Sequence, residues 1–500
     1  MSTPLARIAP VARRTPVELR PDPARVVARL FLPGEELPTS RSRTGAIVAR
    51  VLDLDEAEVA ELAGQLRASF TDRHRGHADL LAEHASVVAA HLDGRPMSPA
   101  RAVVLGAAFT AEHATEGAAL CNPSAVLHPD QSGLRGGQAR VALSLRAVGE
   151  GHISSIGFCT ALVGPGEDWS FEPRALPAVA GVATATPWST GHLRAVLGDQ
   201  GPLDELSSAV LHALPDRFTG LDLERALAAA HPDLLGRPTA QSTVDLLRRL
   251  VSSAYEVRFP PGVELSQRVL LPSAAEESNG MEDARFTRFV DAGGTVDYRA
   301  TYTAYDGNRI APRLLVSPDL RTFRAHRLAG PAARNKGMAL FPRLVDGRHV
   351  ALCRTDGENI SLATSADGLS WSGLRTVHRP SEAWELLQVG NCGPPIETER
   401  GWLVVTHGVG AIRTYVLGAI LLDRDDPGRV VARLRSPLLA PAAGEHDGYV
   451  PNVVYSCGAL LHDGQLWLPY GINDTRIGVA WVPLDELLDG MTAQPASTRS

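Results

Sequence analysis

Glu282 and Asp283 stand side by side, with Arg285 two residues on, just ahead of an apolar-aromatic strand pattern from Phe286 to Val290. On an extended segment, adjacent carboxylates point to opposite faces. One can then face a cavity while the other is held by a cation, and Arg285 is near enough to supply it. The plainer alternative is a solvated loop whose charges make weak surface pairs. What favours chemistry is recurrence: Asn122, Arg146, Arg334, Asn335, Lys336, Arg354, His407 and Asp474 also fall on or beside short strand patterns. With Asp283 and Arg285 they form a set of acids and surplus cations, the make-up of a polar pocket for hydroxyls and an anion. Each alone has an ordinary explanation: Arg354 pairing with Asp356, His407 as a satisfied strand histidine, Asp474 as a turn residue.

Strands must bring these residues together. From Tyr255 to about Val482 one unit recurs, with a short opening strand, a turn, a second strand and two more strands to close. Openings are Asp283–Phe286, Leu340–Arg343, Gly393–Ile396 and Pro451–Val454; turns include Asp346-Gly347 and Asp463-Gly464. The spacing of about fifty residues suits four-stranded propeller blades, whose first strands line a central channel. Asn122 to Val163 supplies a further unit of the same kind. The expected fold is mainly β: a five-bladed β-propeller with a helical N-terminal domain and a helical insertion between blades 1 and 2. The expected divisions are an N-terminal arm and helical domain over 1–117, blade 1 over 118–165, the insertion over 166–254, blades 2–5 over 255–490 and a flexible tail over 491–500. Residues 1–50 read as an arm or irregular lead-in. His77, His84 and His91, seven apart on one helix face, read as a partly exposed stripe rather than a metal site.

Composition bounds the rest. The chain has 500 residues, 44% hydrophobic and 21% charged, as in ordinary soluble globular proteins. A formal net charge of -7 argues against a general nucleic-acid binder. No apolar h-region opens the chain and no apolar run reaches spanning length, so neither a secretory signal nor a membrane partner is expected. The 5 cysteines are scattered without a C-x-x-C pattern, which suits a reducing cytoplasm.

Several motifs in order resemble glycoside hydrolase family 130: Gly280-Met281-Glu282-Asp283-Ala284-Arg285, Tyr298 to Gly307, Arg334-Asn335-Lys336-Gly337, Gly393-Pro394-Pro395-Ile396, Thr406-His407-Gly408 and Tyr470 to Thr475. The resemblance covers about residues 118–165 and 255–485, and the helical parts have no counterpart in the simplest members. It implies a five-bladed propeller acting on β-mannosides, mostly as inverting phosphorylases and in some members as hydrolases. It places the general acid on Asp283, whose proton is delivered through a sugar hydroxyl. Sugar binding falls on Asn122, Arg146 and Asp474, beside Glu282 and Arg285. Phosphate binding falls on Arg334, Asn335, Lys336, Arg354 and His407, with Tyr415 a looser match. Two departures stand out. Ala284 replaces the motif proline, and Gln388 stands where phosphorolytic members carry a phosphate-binding lysine.

The residue list can be weighed against the reaction. An inverting hydrolase needs a second carboxylate to activate water, and Glu385 and Glu358 are candidates by proximity alone. A phosphorylase needs one acid and cations for the phosphate. The expected function is therefore inverting phosphorolysis of β-mannosides to mannose 1-phosphate, with inorganic phosphate as co-substrate and no metal or other cofactor. An inverting β-mannoside hydrolase is the alternative, and a non-catalytic glycan-binding propeller the second. Expected partners are an oligosaccharide and phosphate, without nucleic acid; a homo-oligomer is left open.

Overall fold

The computed structural model describes residues 11–34, 42–92 and 94–493. Its body is a series of antiparallel meanders. The first runs Ala119–Leu127, Ala139–Val148, Ser154–Val163 and Trp169–Phe171. The second runs Gly280–Val290, Val296–Tyr305, Ile310–Ser317 and Thr322–Arg327, widened by Tyr255–Arg258 and Val182–Ala185. In the third, Ala339–Leu340, His349–Cys353, Ile360–Ser365 and Ser372–His378 follow one another. The fourth sets Gln388–Asn391 and Ile396–Thr398 on Gly401–Val409, then adds Tyr415–Leu422 and Val430–Arg433. The fifth sets Val454–Tyr455 and Leu460–His462 on Gln465–Ile472, followed by Arg476–Pro483.

Local sequence explains the hairpins. Asp346 and Gly347 take φ of 50° and 72°, and Asp463 and Gly464 take 49° and 70°, the paired positive φ of a two-residue type I′ turn. Strand interiors rich in Val, Leu, Ile and aromatics pack sheet on sheet. Phe341 and Trp402 meet edge to face at 4.9 Å, and Phe158 stacks on Phe323 at 5.6 Å. Consecutive sheets are also tied through the backbone. Gly280 pairs with Ser154, Val290 with Arg343, Tyr415 with Val453 and Ser124 with Gly458, while Val389 N donates to Glu358 O at 2.9 Å. The last of the bridges brings the fifth sheet back to the first.

Three readings need correction. Residues 11–34 are not an irregular lead-in: Arg13–Leu19 pairs antiparallel with Arg476–Pro483 and completes the fifth sheet. Its ladder slips between Arg14 and Glu18, where Pro16 could not donate, as edge strands tolerate. Residues 1–10 lie outside the described residues. The span 166–254 is not purely helical, because Trp169–Phe171 and Val182–Ala185 belong to sheets. Helices fill only its later part: Thr190–Gln200, Glu205–Ala213, Gly220–Ala228, Pro232–Leu235 and Ala240–Val251. They close on their own core of Trp188, Leu193, Leu206, Leu223 and Leu247. Finally, Thr492–Ala493 pairs with Val430–Arg433, so the tail expected from 491 is anchored there; residues 494–500 lie outside the described residues.

The N-terminal helices are Arg43–Asp53, Glu56–Phe70, His77–Val87 and Pro99–Ala108. Asp55 and Glu58 form a capping box, and Ser98 caps the helix that begins at Pro99. His77 and His84 are buried, not part of an exposed stripe, and His84 Nδ1 lies 2.6 Å from Thr110 Oγ1. Among the described residues no group of three or more His, Cys, Asp or Glu could hold a metal, and no helix is long and apolar enough to cross a membrane.

Candidate active site

The opening strand of the second sheet carries the acids, and its geometry departs from simple alternation. The ladder between Gly280–Val290 and Val296–Tyr305 slips between Glu282 and Arg285, and Asp283 takes φ 56°. A bulge of this kind inserts a residue and re-aims the side chains around it. Glu282 and Asp283 consequently share a cation instead of facing apart. Arg146 Nη2 donates to Glu282 Oε1 at 2.6 Å, and its Nη1 lies 3.7 Å from Asp283 Oδ1. The first sheet repeats the device. Its ladder slips between Cys121 and Ser124, Asn122 takes φ 49°, and Asn122 Nδ2 donates to Asp283 Oδ1 at 2.6 Å. Asp474 also has positive φ, 51°. Such non-glycine conformations gather at functional sites, where the surrounding structure over-determines them.

Electrostatics separate the carboxylates. Burial would raise Asp283, but Arg146, Arg285, Lys336 and the Asn122 hydrogen bond together hold it below its ordinary 3.8. Burial pushes Asp474 up to about 6, against the pull of Arg146 and aided by repulsion from Asp283 and Glu282. Glu282 is fully engaged, with Lys336 Nζ 2.6 Å from its Oε2. Lys336, expected among the phosphate ligands, is thus placed beside the acids.

Arg285 does not chiefly serve the Asp283 carboxylate, from which it stands 3.9 Å away. Instead it is completely buried and donates to Asp283 O at 2.7 Å, Cys392 O at 2.8 Å and the Tyr455 hydroxyl at 2.9 Å. The Tyr455 ring packs edge-on against His407 at 4.9 Å. Arg285 and Tyr455 therefore join the acids to a second cluster made of Arg354, Gln388, His407 and Tyr415.

In that cluster Arg354 Nη1 lies 2.9 Å from His407 Nε2, so Nε2 is the acceptor and the ring carries its proton on Nδ1. Burial, reinforced by Arg354 and Arg285, pushes His407 well down. The ring is neutral, which corrects its expected place among the cations. Tyr415 stacks on it at 6.1 Å. With its amide oriented to satisfy both ends, Gln388 accepts from Arg354 Nη1 at 3.1 Å and donates to Gly357 O at 3.2 Å. Arg354 Nε is buried without a hydrogen-bond partner. A Cβ on Gly390 would come within 3.0 Å of the Arg354 side chain and 2.5 Å of the His407 ring, so glycine there leaves them their room. Arg354 does not pair with Asp356, whose carboxylate is taken by Asn359 and the amides of Glu358 and Asn359. Asn335 lies near Gly357 with φ 63°, and Arg334 is exposed.

The two candidate bases differ. Glu385 Oε2 accepts from the amides of Ser381 and Glu382 at 2.9 and 3.1 Å, and Glu358 is exposed. Two residues of the site escaped sequence reasoning. Tyr455 follows directly on the Pro451–Val454 opening. Asn391, whose Nδ2 donates to Gly337 O at 2.7 Å, just precedes the Gly393–Ile396 opening. Their places at unit openings were the available signal.

Comparison with known proteins bears on this arrangement. Residues 261–493 match the sequence profile of a family described as β-1,4-mannooligosaccharide phosphorylase. The chain is 35% identical over 225 residues to the β-1,2-mannobiose phosphorylase of Thermoanaerobacter sp. (strain X514), covering 44% of this chain and 72% of that protein. It is 40% identical over 155 residues to the 1,2-β-oligomannan phosphorylase of the same organism, but this match spans only 31% of this chain and 52%, about half, of the relative. The structure of the Listeria innocua β-1,2-mannobiose phosphorylase superposes with a TM-score of 0.43 at 22% identity, covering 75% of this chain and 92% of that one. With its profile match and a relative of more than one-third identity over most of that relative's length, the chain belongs to glycoside hydrolase family 130.

Proposed function

We propose that the chain is a five-bladed β-propeller enzyme that cleaves β-mannosides by inverting phosphorolysis, releasing mannose 1-phosphate. Its blades are formed by residues 118–171 and 255–493 together with the strands Arg13–Leu19 and Val182–Ala185. In this reading Asn122, Arg146, Glu282 and Asp474 hold the sugar, and Asp283 supplies the proton through a sugar hydroxyl. Arg354, Gln388, Asn335 and Arg334 receive the phosphate, with His407 and Tyr415 forming the wall behind it.

The observation that carries this reading is the buried Arg354 Nε–H with no acceptor, one sheet away from the acids. A buried guanidinium donor without an acceptor is costly, and an anion bound there removes the cost. Phosphate also resolves the state of Asp283. Three cations hold that acid ionised in the free site; an incoming dianion offsets them, and a nearby negative charge raises a carboxylate pKa. Asp283 then carries its proton only when phosphate is in place. Hydrolysis would need a free second base, and the Glu282 and Glu385 carboxylates are already engaged. The relatives named as phosphorylases of β-mannosides support the same substrate class.

The test is incubation with β-mannobioses with and without inorganic phosphate. Mannose 1-phosphate formed only in its presence is expected. Free mannose released at the same rate without phosphate means that the protein is a hydrolase.

A further inference from the structure

Between the helical insertion and the outer strands of the second sheet lies a cavity of about 770 Å³, inside the roughly 300–1,000 Å³ range of small-molecule pockets. Gln200 and Arg249 line it from the helices, Glu276 from the turn Ala275–Glu277, Asp306 and Arg309 from the Tyr305–Ile310 turn, and Arg327 from the outer strand. Its charges are not mutually satisfied. Glu276 is 9% exposed; its Oε1 takes the Arg327 guanidinium, while its Oε2 is buried with no hydrogen-bond partner. Asp306 is spent on the amides of Asn308 and Arg309, at 2.9 and 2.6 Å. The guanidiniums of Arg249 and Arg309 make no hydrogen bond or ion pair among the described residues.

This inventory selects a ligand chemistry. A buried carboxylate oxygen needs a donor, and two solvent-exposed guanidiniums near Asp306 stand ready to donate to an acceptor. A hydroxyl plays both parts. An inorganic phosphate dianion carries a single P–OH donor and would be repelled by Glu276.

Position ties the cavity to the acids. Glu282 pairs with Thr303, Thr303 with Pro312, and the neighbouring Arg313 with Arg327. The cavity's far wall at Arg327 therefore sits three strands outward from Glu282, at the end of the sheet marked by the Tyr305–Ile310 turn. Three inter-strand spacings amount to roughly 14 Å. A disaccharide seated at the acids falls short of this distance; a longer chain crosses it.

We infer that this cavity is a distal saccharide subsite, built by the helical insertion, that favours longer β-linked manno-oligosaccharides over disaccharides. The inference rests on the mannoside reading of the acids. Losing one hydrogen bond to a charged group costs about ten- to a hundredfold in affinity.

The test compares the natural protein with the Arg249→Ala, Arg309→Ala double variant on β-linked manno-oligosaccharides from the disaccharide to the pentasaccharide. Both arginines are exposed, and an unchanged thermal melt confirms the variant's fold. The natural protein should turn over the pentasaccharide with a kcat/KM at least tenfold above that for the disaccharide. The double variant should lose that advantage while keeping its disaccharide rate. Equal chain-length selectivity in the two proteins overturns the inference. Calorimetric titration of the pentasaccharide reads the cavity independently of catalysis. If no mannoside is turned over but the natural protein binds the pentasaccharide at least tenfold more tightly than the variant, the catalytic reading fails and the subsite stands. Equal binding by both, or none by either, refutes the subsite. Inorganic phosphate is titrated in parallel, and a variant that loses phosphate binding but not saccharide binding marks an anion site and also refutes it.

Discussion

Gln388 concentrates the site's chemistry in one side chain. Its amide bridges Arg354 and Gly357 O, where a lysine would add a cation beside Arg354. With His407 neutral and Lys336 engaged by Glu282, few cations remain for phosphate. Charge-assisted hydrogen bonds contribute on the order of 1.5–3 kcal/mol, so Gln388→Lys should lower the phosphate KM by about ten- to a hundredfold without abolishing turnover. The same change sets like charges together, so the free variant should melt lower than the natural protein and recover when phosphate is added. Phosphate-dependent initial rates and melts check both. Asp474 carries a prediction of its own. Its folded-state pKa, about 6, lies above its ordinary 3.8, so folding favours the protonated acid. That contribution is complete below pH 3.8 and lost as pH rises through 6. The difference amounts to roughly 2–3 kcal/mol. Asp474→Asn, which tolerates positive φ, should therefore melt higher than the natural protein at pH 7.5, with the gap shrinking toward pH 4, while activity is lost. Little of this was legible beforehand. The residue types and their convergence could be read from recurrence, but charge states could not, because they depend on which cation each bulge turns toward.

At the scale of elements, the loop before Gly280–Val290 is fixed by one carboxylate. Glu277 is completely buried and accepts from the hydroxyls of Tyr255 and Tyr302, from Arg313 Nη1 at 2.7 Å, and from the amides of Ser273 and Ala274 at 2.8 and 3.0 Å. Removing it strands the buried Arg313. Glu277→Ala should cost about 3–5 kcal/mol, seen as a lower denaturation midpoint, and should loosen the segment that leads to Glu282 and Asp283. Hairpins were the most legible elements. Asp346-Gly347 and Asp463-Gly464 specify their turns locally, and His349–Cys353 and Gln465–Ile472 follow directly on them; the openings expected at Leu340–Arg343 and Pro451–Val454 are displaced to Ala339–Leu340 and Val454–Tyr455. The bulges were not legible, since the slip between Glu282 and Arg285 is set by a partner strand and by Arg146 on another sheet. Nor was Arg13–Leu19: it alternates weakly, contains a proline, and becomes a strand only because an open edge awaits it. The helices of the insertion could be read from apolar periodicity, but not the small strands before them, Trp169–Phe171 and Val182–Ala185, which take their conformation from Ser154–Val163 and Tyr255–Arg258.

For the whole molecule, order in the sequence and order in space diverge most at the fifth sheet. Its outer strand comes from near the start of the chain and its other strands from near the end. Arg13 meets Glu486, 473 positions later. A ribosome adding roughly 5–20 residues per second needs about half a minute to a minute and a half to cover that distance. Until Arg476–Pro483 has been made, the early segment has no mate. The seam between them can close only after that, however early the second and third sheets fold. The polar, interrupted character of Arg13–Leu19 suits that wait. A smoothly apolar strand left exposed for so long would pair with the same segment on neighbouring nascent chains of a polysome.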